Sequence, residues 1–521
     1  MYLASDGCFD YNGYIIILHI CTRRTAVASP GHNGRMTSMY RCNIVPRPNQ
    51  IQPKEGIFAI PREGRIEDFV TRTIDTRISG AESYRLNVCP EGITISAGTP
   101  RGLFYAMQSV RQLIATSVGQ IPCMCICDEP TYPYRAFMID CARHFFSVAD
   151  LKKMIDAAAL FKMNVFHWHL TDDQGWRIEI KEHPRLTKIS SLRASSDFGG
   201  IHADGPYEGI YTQGQLREIV DYCAERYIEV VPEFDMPGHT SAVLAAYPAF
   251  SCTGGPFYVQ TKQGIFQDIL CAGKEETFHF LFDVLEEMLS IFPSRYIHIG
   301  GDEAPKVRWK ACLDCQARMK AEDLPDEQAL QGYFMNRVIS WLRARGRTAV
   351  VWNESLRGGN LDPSAVVQMR MDKNGECARW ANGGGKVIVS DFYHYYCDYP
   401  YAMTPLWKTY RYRPALKDVR PIYQKNILGV EAPVWTEYIE TLAHMSEMCY
   451  PRFAAVAEAG WTREERRNAG SFERRFQMVT PLLAALGIHP AAPQLWNPHS
   501  FARLKGTAQF FLPKLPFIIR D

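Results

Sequence analysis

Two carboxylates stand side by side at Asp302 and Glu303, where the apolar run YIHI of residues 296–299 breaks off in Gly300-Gly301. Gly-Gly followed by acids is ordinary turn chemistry. A close pair of carboxylates has a second use. Like charges resist joint ionisation, so one pKa rises and the pair holds an acid beside an anion. Hydrolysis of a glycosidic bond needs such an acid to protonate the leaving oxygen. Further polar and aromatic residues close other apolar runs: Arg143, His167, His169 and Asp172; Asp235 and His239; Trp352 and Glu354; Arg370; Tyr396 and Asp398; Trp435 and Glu437. Any one Trp or His at such a place reads as packing. Taken together, carboxylates and arginine walled by indoles and phenols suit a carbohydrate, because aromatic faces stack on sugar C–H surfaces while charged groups bond the hydroxyls.

The elements that must position these groups are short and apolar. They run FMIDCAR (137–143), NVFHWHL (164–170), IEVVPEFD (228–235), YIHIGGDE (296–303), TAVVWNE (348–354), AVVQMR (365–370), KVIVSDF (386–392) and ILGVEAPVW (427–435). Amphipathic stretches such as ADLKKMIDAAALFK (149–162) separate them. Apolar strands alternating with helices signal parallel strands covered on both faces. Eight such units predict an α/β fold, a (β/α)8 barrel over residues 134–487, whose strand ends converge on one catalytic face. No GxGxxG opens a helix, which speaks against a doubly wound dinucleotide fold. The link between the fifth and sixth runs is short, making that unit the least regular. Before the barrel, GITISAGT and LFYAMQSVRQLIAT predict a small α+β domain over 44–133, closed by the Pro-rich stretch at 128–135. Residues 1–43 read as a leader of unclear status, and the Pro- and Phe-rich 488–521 as an extension packed on the barrel.

Composition narrows the function further. A chain of 521 residues is long enough for a large barrel plus an accessory domain. A net charge of +2 gives no footprint for nucleic acid or an anionic membrane. No segment approaches the length of a membrane span, and YIIILHI at 14–20 follows acids rather than a basic stretch, a poor signal peptide. Of the 16 cysteines, Cys123, Cys125 and Cys127 alternate as one strand face would, which predicts small buried packing. Cys312-x-x-Cys315 has no second CxxC or paired histidines nearby in sequence, so no metal and no cofactor is expected.

At these motifs the chain resembles the family 20 glycoside hydrolases, the β-N-acetylhexosaminidases, over roughly residues 44–485. RAFMIDCARHFF, KMNVFHWHLTDDQGWRIEI, VVPEFDMPGHTSA, HIGGDEAPKVRWKACLDCQAR, VVWNES and GVEAPVWTEYI carry the resemblance, in the family's order and spacing. The resemblance implies a retaining, substrate-assisted exo-hydrolase without a protein nucleophile, in which the 2-acetamido oxygen attacks C1. Glu303 would be the acid and then the base, and Asp302 would orient the acetamido group and stabilise the developing positive charge. Tyr396 would donate to the acetamido oxygen, and Trp352 and Trp435 would wall the methyl group. Arg143, Asp398 and Glu437 match positions that bind the terminal sugar's hydroxyls, while Asp172 and His239 match the pair that sets Glu303's pKa. Bringing both adjacent carboxylates into one pocket requires a bend at Gly300-Gly301.

The chain departs from the family where a Trp usually closes the sixth strand, which here reads VVQMRMD. An Arg370 fork there suggests an alternative, a sulfated N-acetylglucosamine as substrate. His167-Trp-His169 suggests another, a metal-dependent amidohydrolase, although packing beneath the pocket is the reading favoured for both histidines. The expected partner is a carbohydrate with terminal β-linked N-acetylhexosamine, GlcNAc or GalNAc, with no nucleic acid and no membrane span. Family habit places such enzymes in the periplasm or outside the cell.

Overall fold

The computed structural model describes residues 42–61 and 63–514, which form two compact units. The leader expected over 1–43 lies, but for its last two residues, outside the described residues.

The first unit gathers residues 42–131 with Leu160–Lys162 and Trp461–Pro490. Its sheet runs, from one edge, Gln50–Ala59, Gln120–Asp128, Tyr84–Cys89, Gly92–Ala97 and Val70–Ile74, antiparallel throughout except for the last pair. The helix Pro100–Thr116 starts on a proline at its first turn, with Thr99 Oγ1 accepting from the Gly102 amide at 3.1 Å. It buries Tyr105, Val110, Leu113 and Ile114 against Leu86, Val88, Ile93, Ile95 and Ile126 of the sheet. This is the predicted α+β domain with two corrections. The segment from Trp461, which ends in the Pro-interrupted helix Ala469–Ala485, groups here rather than with the barrel, so the barrel closes at Gly460 instead of 487. Only Cys123 is buried as expected; Cys125 and Cys127 are half-buried, because Met124 and Ile126 take the core face of their strand. The interior also holds an ion cluster: Lys162 Nζ lies 3.4 Å from Asp128 Oδ2 and 2.8 Å from the Tyr84 hydroxyl.

The second unit is the closed barrel. Its eight parallel strands are Tyr134–Asp140, Val165–His169, Glu229–Glu233, Tyr296–His298, Thr348–Trp352, Val366–Met369, Lys386–Val389 and Ile427–Val434, one for each predicted run. Helices form between them where the apolar period demands it. In Val148–Leu160, Leu151, Met154, Ile155 and Ala158 recur at helical spacing and are all buried, and Ser147 Oγ accepts from the Asp150 amide at 3.1 Å. The short fifth-to-sixth link carries the 3-10 turn Asn353–Gly358 in place of an α-helix. Side chains fill the barrel in layers. Tyr134, Ala136, Val165, Val231, Val350, Val366 and Ile388 form an apolar floor. His167, Glu233, His298, Gln368 and Glu431 form a fully buried polar layer above it. Met138, Trp352, Tyr396 and Trp435 line the mouth. In the helix Ser500–Phe511 of this unit, Phe510 stacks edge-on to Tyr399 and Tyr438, with ring centres 5.6 and 5.2 Å away. Among the described residues no helix is long and apolar enough to cross a membrane.

Candidate active site

The fourth barrel strand stops at His298, and the chain then turns through Gly300 and Gly301 at φ of 66° and 105°. Both glycines are required twice over, by backbone conformation and by space. A Cβ on Gly300 would sit 1.6 Å from Asp235 Oδ1, and one on Gly301 2.2 Å from Ser355 Oγ. The Gly301 amide donates to Asp235 Oδ1 at 3.1 Å, and Gln331 Nε2 donates to the Gly301 carbonyl at 2.7 Å, which fixes the turn. Glu303 itself is held at φ 42°, a left-handed conformation that costs a non-glycine residue roughly 1–3 kcal/mol. The expected bend is therefore present, and it brings both acids to one cation. Arg370 Nη1 lies 3.0 Å from Asp302 Oδ2, and Nη2 lies 2.7 Å from Glu303 Oε1 and 3.1 Å from Glu354 Oε1.

Behind Glu303 runs a chain of charges. His239 places Nε2 3.5 Å from Glu303 Oε2 and Nδ1 3.1 Å from Asp172 Oδ1. Asp172 Oδ2 in turn meets Arg143 Nη2 at 2.7 Å and His169 Nε2 at 2.9 Å. Burial acts against the charge on His239, but the Asp172 carboxylate outweighs it and lifts the imidazole well above its ordinary pKa. Burial likewise pushes Glu303 up, yet the His239 hydrogen bond and the Arg370 charge hold it below the usual carboxylate range. This corrects the expectation that Glu303, as one of two adjacent acids, carries the raised pKa. The raised carboxyls are its neighbours: Asp235, through burial and then the charge of Asp302; Asp398, through burial and then Glu437; and Glu354 and Glu437, chiefly through burial.

The remaining predicted residues converge on the same mouth. Trp352 and Trp435 stand 6.0 Å apart between ring centres, Tyr396 and Trp435 6.3 Å apart, and the Arg143 guanidinium lies over Trp435 at 5.1 Å. Asp302 Oδ1 and the Tyr396 hydroxyl are buried with no partner in hydrogen-bonding geometry among the described residues. Buried polar atoms of native proteins are almost always bonded, so these two, with Glu354 Oε2 and Asp398 Oδ1 also unmet, leave bonding capacity for a polar ligand group. The two terminal nitrogens of Arg370, in contrast, hold carboxylates of the site itself, while its Nε is buried without a partner among the described residues.

His167 and His169 lie beneath, as packing. His167 bridges Glu431 Oε1 at 2.9 Å and Glu233 Oε2 at 3.0 Å, and the second nitrogen of His169 bonds Glu233. The two flanking carboxylates overcome burial and raise His167 to about 9. Both ring nitrogens of both histidines are paired with carboxylates. Sequence reasoning passed over Glu233, His298, Gln368 and Glu431, whose inward position on apolar strands was the available signal. It also passed over Asp173, whose Oδ2 is 3.2 Å from His239 Nδ1. Cys312 and Cys315, which have no second CxxC or paired histidines nearby in sequence, meet Cys252 and Cys271 of a distant loop in space.

Comparison with known proteins finds matches along most of the chain. The description "Glycosyl hydrolase family 20, catalytic domain" matches residues 132–464, and "Glycosyl hydrolase family 20, domain 2" matches residues 62–129. A β-hexosaminidase of Porphyromonas gingivalis is 41% identical over 433 residues, covering 79% of this chain; the chain spans 55% of that relative's length. A β-hexosaminidase of Akkermansia muciniphila is 35% identical over 449 residues, 83% of this chain and 88% of the relative. The crystal structure of a family 20 exo β-N-acetylglucosaminidase from Vibrio harveyi, in complex with N-acetylglucosamine, superposes with a TM-score of 0.78 at 28% identity, covering 89% of this chain and 81% of that one.

Proposed function

The chain belongs to glycosyl hydrolase family 20, and from that premise we propose that it removes terminal β-linked N-acetylhexosamine from the non-reducing ends of glycans, with retention, by substrate-assisted catalysis. The observation that carries this reading is the Gly300-Gly301 turn, which delivers two sequence-adjacent carboxylates to one pocket beside an aromatic box. In the first step the acetamido oxygen attacks C1, the bond from C1 to the leaving oxygen breaks, and Glu303 gives that oxygen its proton. Asp302, through its unpartnered Oδ1, accepts the acetamido N–H and balances the oxazolinium charge, while the Tyr396 hydroxyl donates to the acetamido oxygen. In the second step Glu303 takes a proton from the water that attacks C1 and reopens the ring, which restores the acetamido group with the configuration retained.

The His239 hydrogen bond and the Arg370 charge hold Glu303 below the usual carboxylate range in the free protein, so it takes up its proton as the glycoside enters. A neutral sugar that excludes water beside Glu303 favours the protonated form. Arg143, Asp398 and Glu437 surround the place for the sugar hydroxyls. The 6-sulfated alternative has less support, because it would draw on an Arg370 fork that already holds three carboxylates.

The test is release of p-nitrophenol from the β-N-acetylglucosaminide, its galacto epimer and its 6-sulfate, by wild type and Glu303→Gln. Release by wild type that collapses in the variant is the expected result. No release from any of the three would overturn the exo-hydrolase reading, and preference for the sulfate would restore the alternative.

A further inference from the structure

We propose that Cys252, Cys271, Cys312 and Cys315 form a structural zinc site, a tetrathiolate that ties the long loop after the third barrel strand to the helices that follow the Asp302-Glu303 turn. The geometry is that of one tetrahedral ion. Cys252 and Cys315 place their sulfurs 3.8 Å apart, Cys271 and Cys312 3.7 Å, and Cys271 and Cys315 3.5 Å, and all four sulfurs lie within 4.8 Å of one another. Zinc binds thiolate at about 2.3 Å, so the corners of its tetrahedron stand about 3.8 Å apart. A disulfide would need about 2.05 Å between two of the sulfurs, and a multi-iron cluster would spread the four much further than a single ion does. An all-sulfur tetrahedral donor set selects zinc or iron over the hard cations.

The surrounding chain is shaped to bring the sulfurs together. Cys312 occupies the N-cap position of the helix Leu313–Ala321 and Cys315 lies in its first turn, which places the two sulfurs close together. Gly273 allows the backbone just past Cys271 to lie against that turn: a Cβ there would be 2.1 Å from the Asp314 carbonyl carbon and 2.4 Å from the Cys315 amide nitrogen. An antiparallel bridge between Ser251 and Leu270, and a 2.8 Å bond from the Cys271 amide to the Phe250 carbonyl, set Cys252 and Cys271 side by side. Cys271, Cys312 and Cys315 are buried, so the sulfurs are shielded from solvent oxidants. Metal binding displaces the thiol protons to solvent and leaves four thiolates around one dication.

The knot touches no substrate, yet it stands directly behind the reacting groups. The Leu270 amide bonds the Pro237 carbonyl at 3.1 Å, two residues before His239. Trp309, on the short helix after Glu303, donates Nε1 to the Leu270 carbonyl at 3.0 Å, and Arg308 pairs with Asp268 at 2.7 Å. The ion thus braces the segment carrying His239 and the segment carrying Glu303 against each other.

The experiment is elemental analysis of the full chain purified without chelator, paired with thiol counting. The expected content is about one zinc per chain, released in step with modification of cysteine by an organomercurial and read by a chromogenic chelator. Protein grown with cobalt should show the ligand-field and charge-transfer bands of a tetrahedral tetrathiolate, and Cys312→Ser/Cys315→Ser should lose them. If that variant does not fold, mercurial release from wild type still decides. Metal-free protein with these sulfurs as free thiols, or with the intact mass of two added disulfides, would overturn the proposal, and iron in place of zinc would overturn the identity of the ion.

Discussion

Two buried charge clusters in this molecule are built from similar parts and do opposite things. In the first unit, Asp128 accepts from Lys162, the Tyr84 hydroxyl at 2.7 Å, Trp461 Nε1 at 2.9 Å and the Asn49 amide at 2.9 Å, and the ammonium also lies over the Trp461 ring at 4.4 Å. Both oxygens of the carboxylate are satisfied and one cation faces one anion. At the barrel mouth, Arg370 faces three carboxylates, while Asp302 Oδ1 and the Tyr396 hydroxyl remain unmet. A satisfied network holds its geometry. An unmet one keeps bonding capacity in reserve for a guest, at some expense in stability.

The contrast can be broken most directly at Glu303. Glu303→Gln should lower kcat by about 10²–10⁴-fold, the range for a lost general acid and base, with the melting temperature unchanged or raised; equal losses of activity and folding would erase the distinction. Lys162→Met is the mirror experiment. It leaves Asp128 buried without its cation, so denaturant unfolding should show a loss of about 3–5 kcal/mol, while the remaining folded protein keeps its kcat. Tyr396→Phe removes one neutral donor from the mouth and should cost about tenfold in kcat, in line with a single hydrogen bond of about 1–1.5 kcal/mol, without destabilising the fold.

The smallest and most informative effect is on pH dependence. In the free protein the Arg370 charge helps hold Glu303 low, so Arg370→Met lets its pKa rise. The acid form then persists to higher pH, and the alkaline limb of kcat/KM, which reports the free enzyme, should move upward. A limb that stays in place would mean that His239 alone sets Glu303. The same ion pair has a stability signature. A carboxylate with a depressed folded pKa stabilises above its unfolded pKa and loses that contribution as pH falls through the folded one. In wild type the contribution of Glu303 should therefore fade only on strong acidification, and in Arg370→Met it should fade at higher pH.

The fold was legible because its signal is local. Each barrel strand is a short apolar run between amphipathic helices, and all eight were readable, even the sixth, whose approach is a 3-10 turn. The turn under Asp302 and Glu303 was legible too, since Gly-Gly at a strand end has few other uses. What the sequence hid depends on residues far apart in the chain. The protonation of Glu303 is set by His239 and Arg370, which follow the third and sixth strands, so adjacency to Asp302 pointed the wrong way. The four cysteines meet only because Gly273 lets two loops touch. The helix Ala469–Ala485 is amphipathic like any barrel helix, and nothing in its own pattern assigns it to the other unit.

The Gly300-Gly301 turn also constrains how this gene can drift. At most surface turns a glycine can be exchanged for alanine and the backbone adjusts. Here the side chain would arrive on the Asp235 carboxylate or the Ser355 hydroxyl, and each of those is itself tied to the turn it would have to vacate. Accommodating either change would need several simultaneous substitutions, with inactive intermediates between. The pair of glycines is in that sense a one-way door in sequence space: once the two adjacent acids hang from it, selection can decorate the surrounding loops while the hinge itself stays fixed.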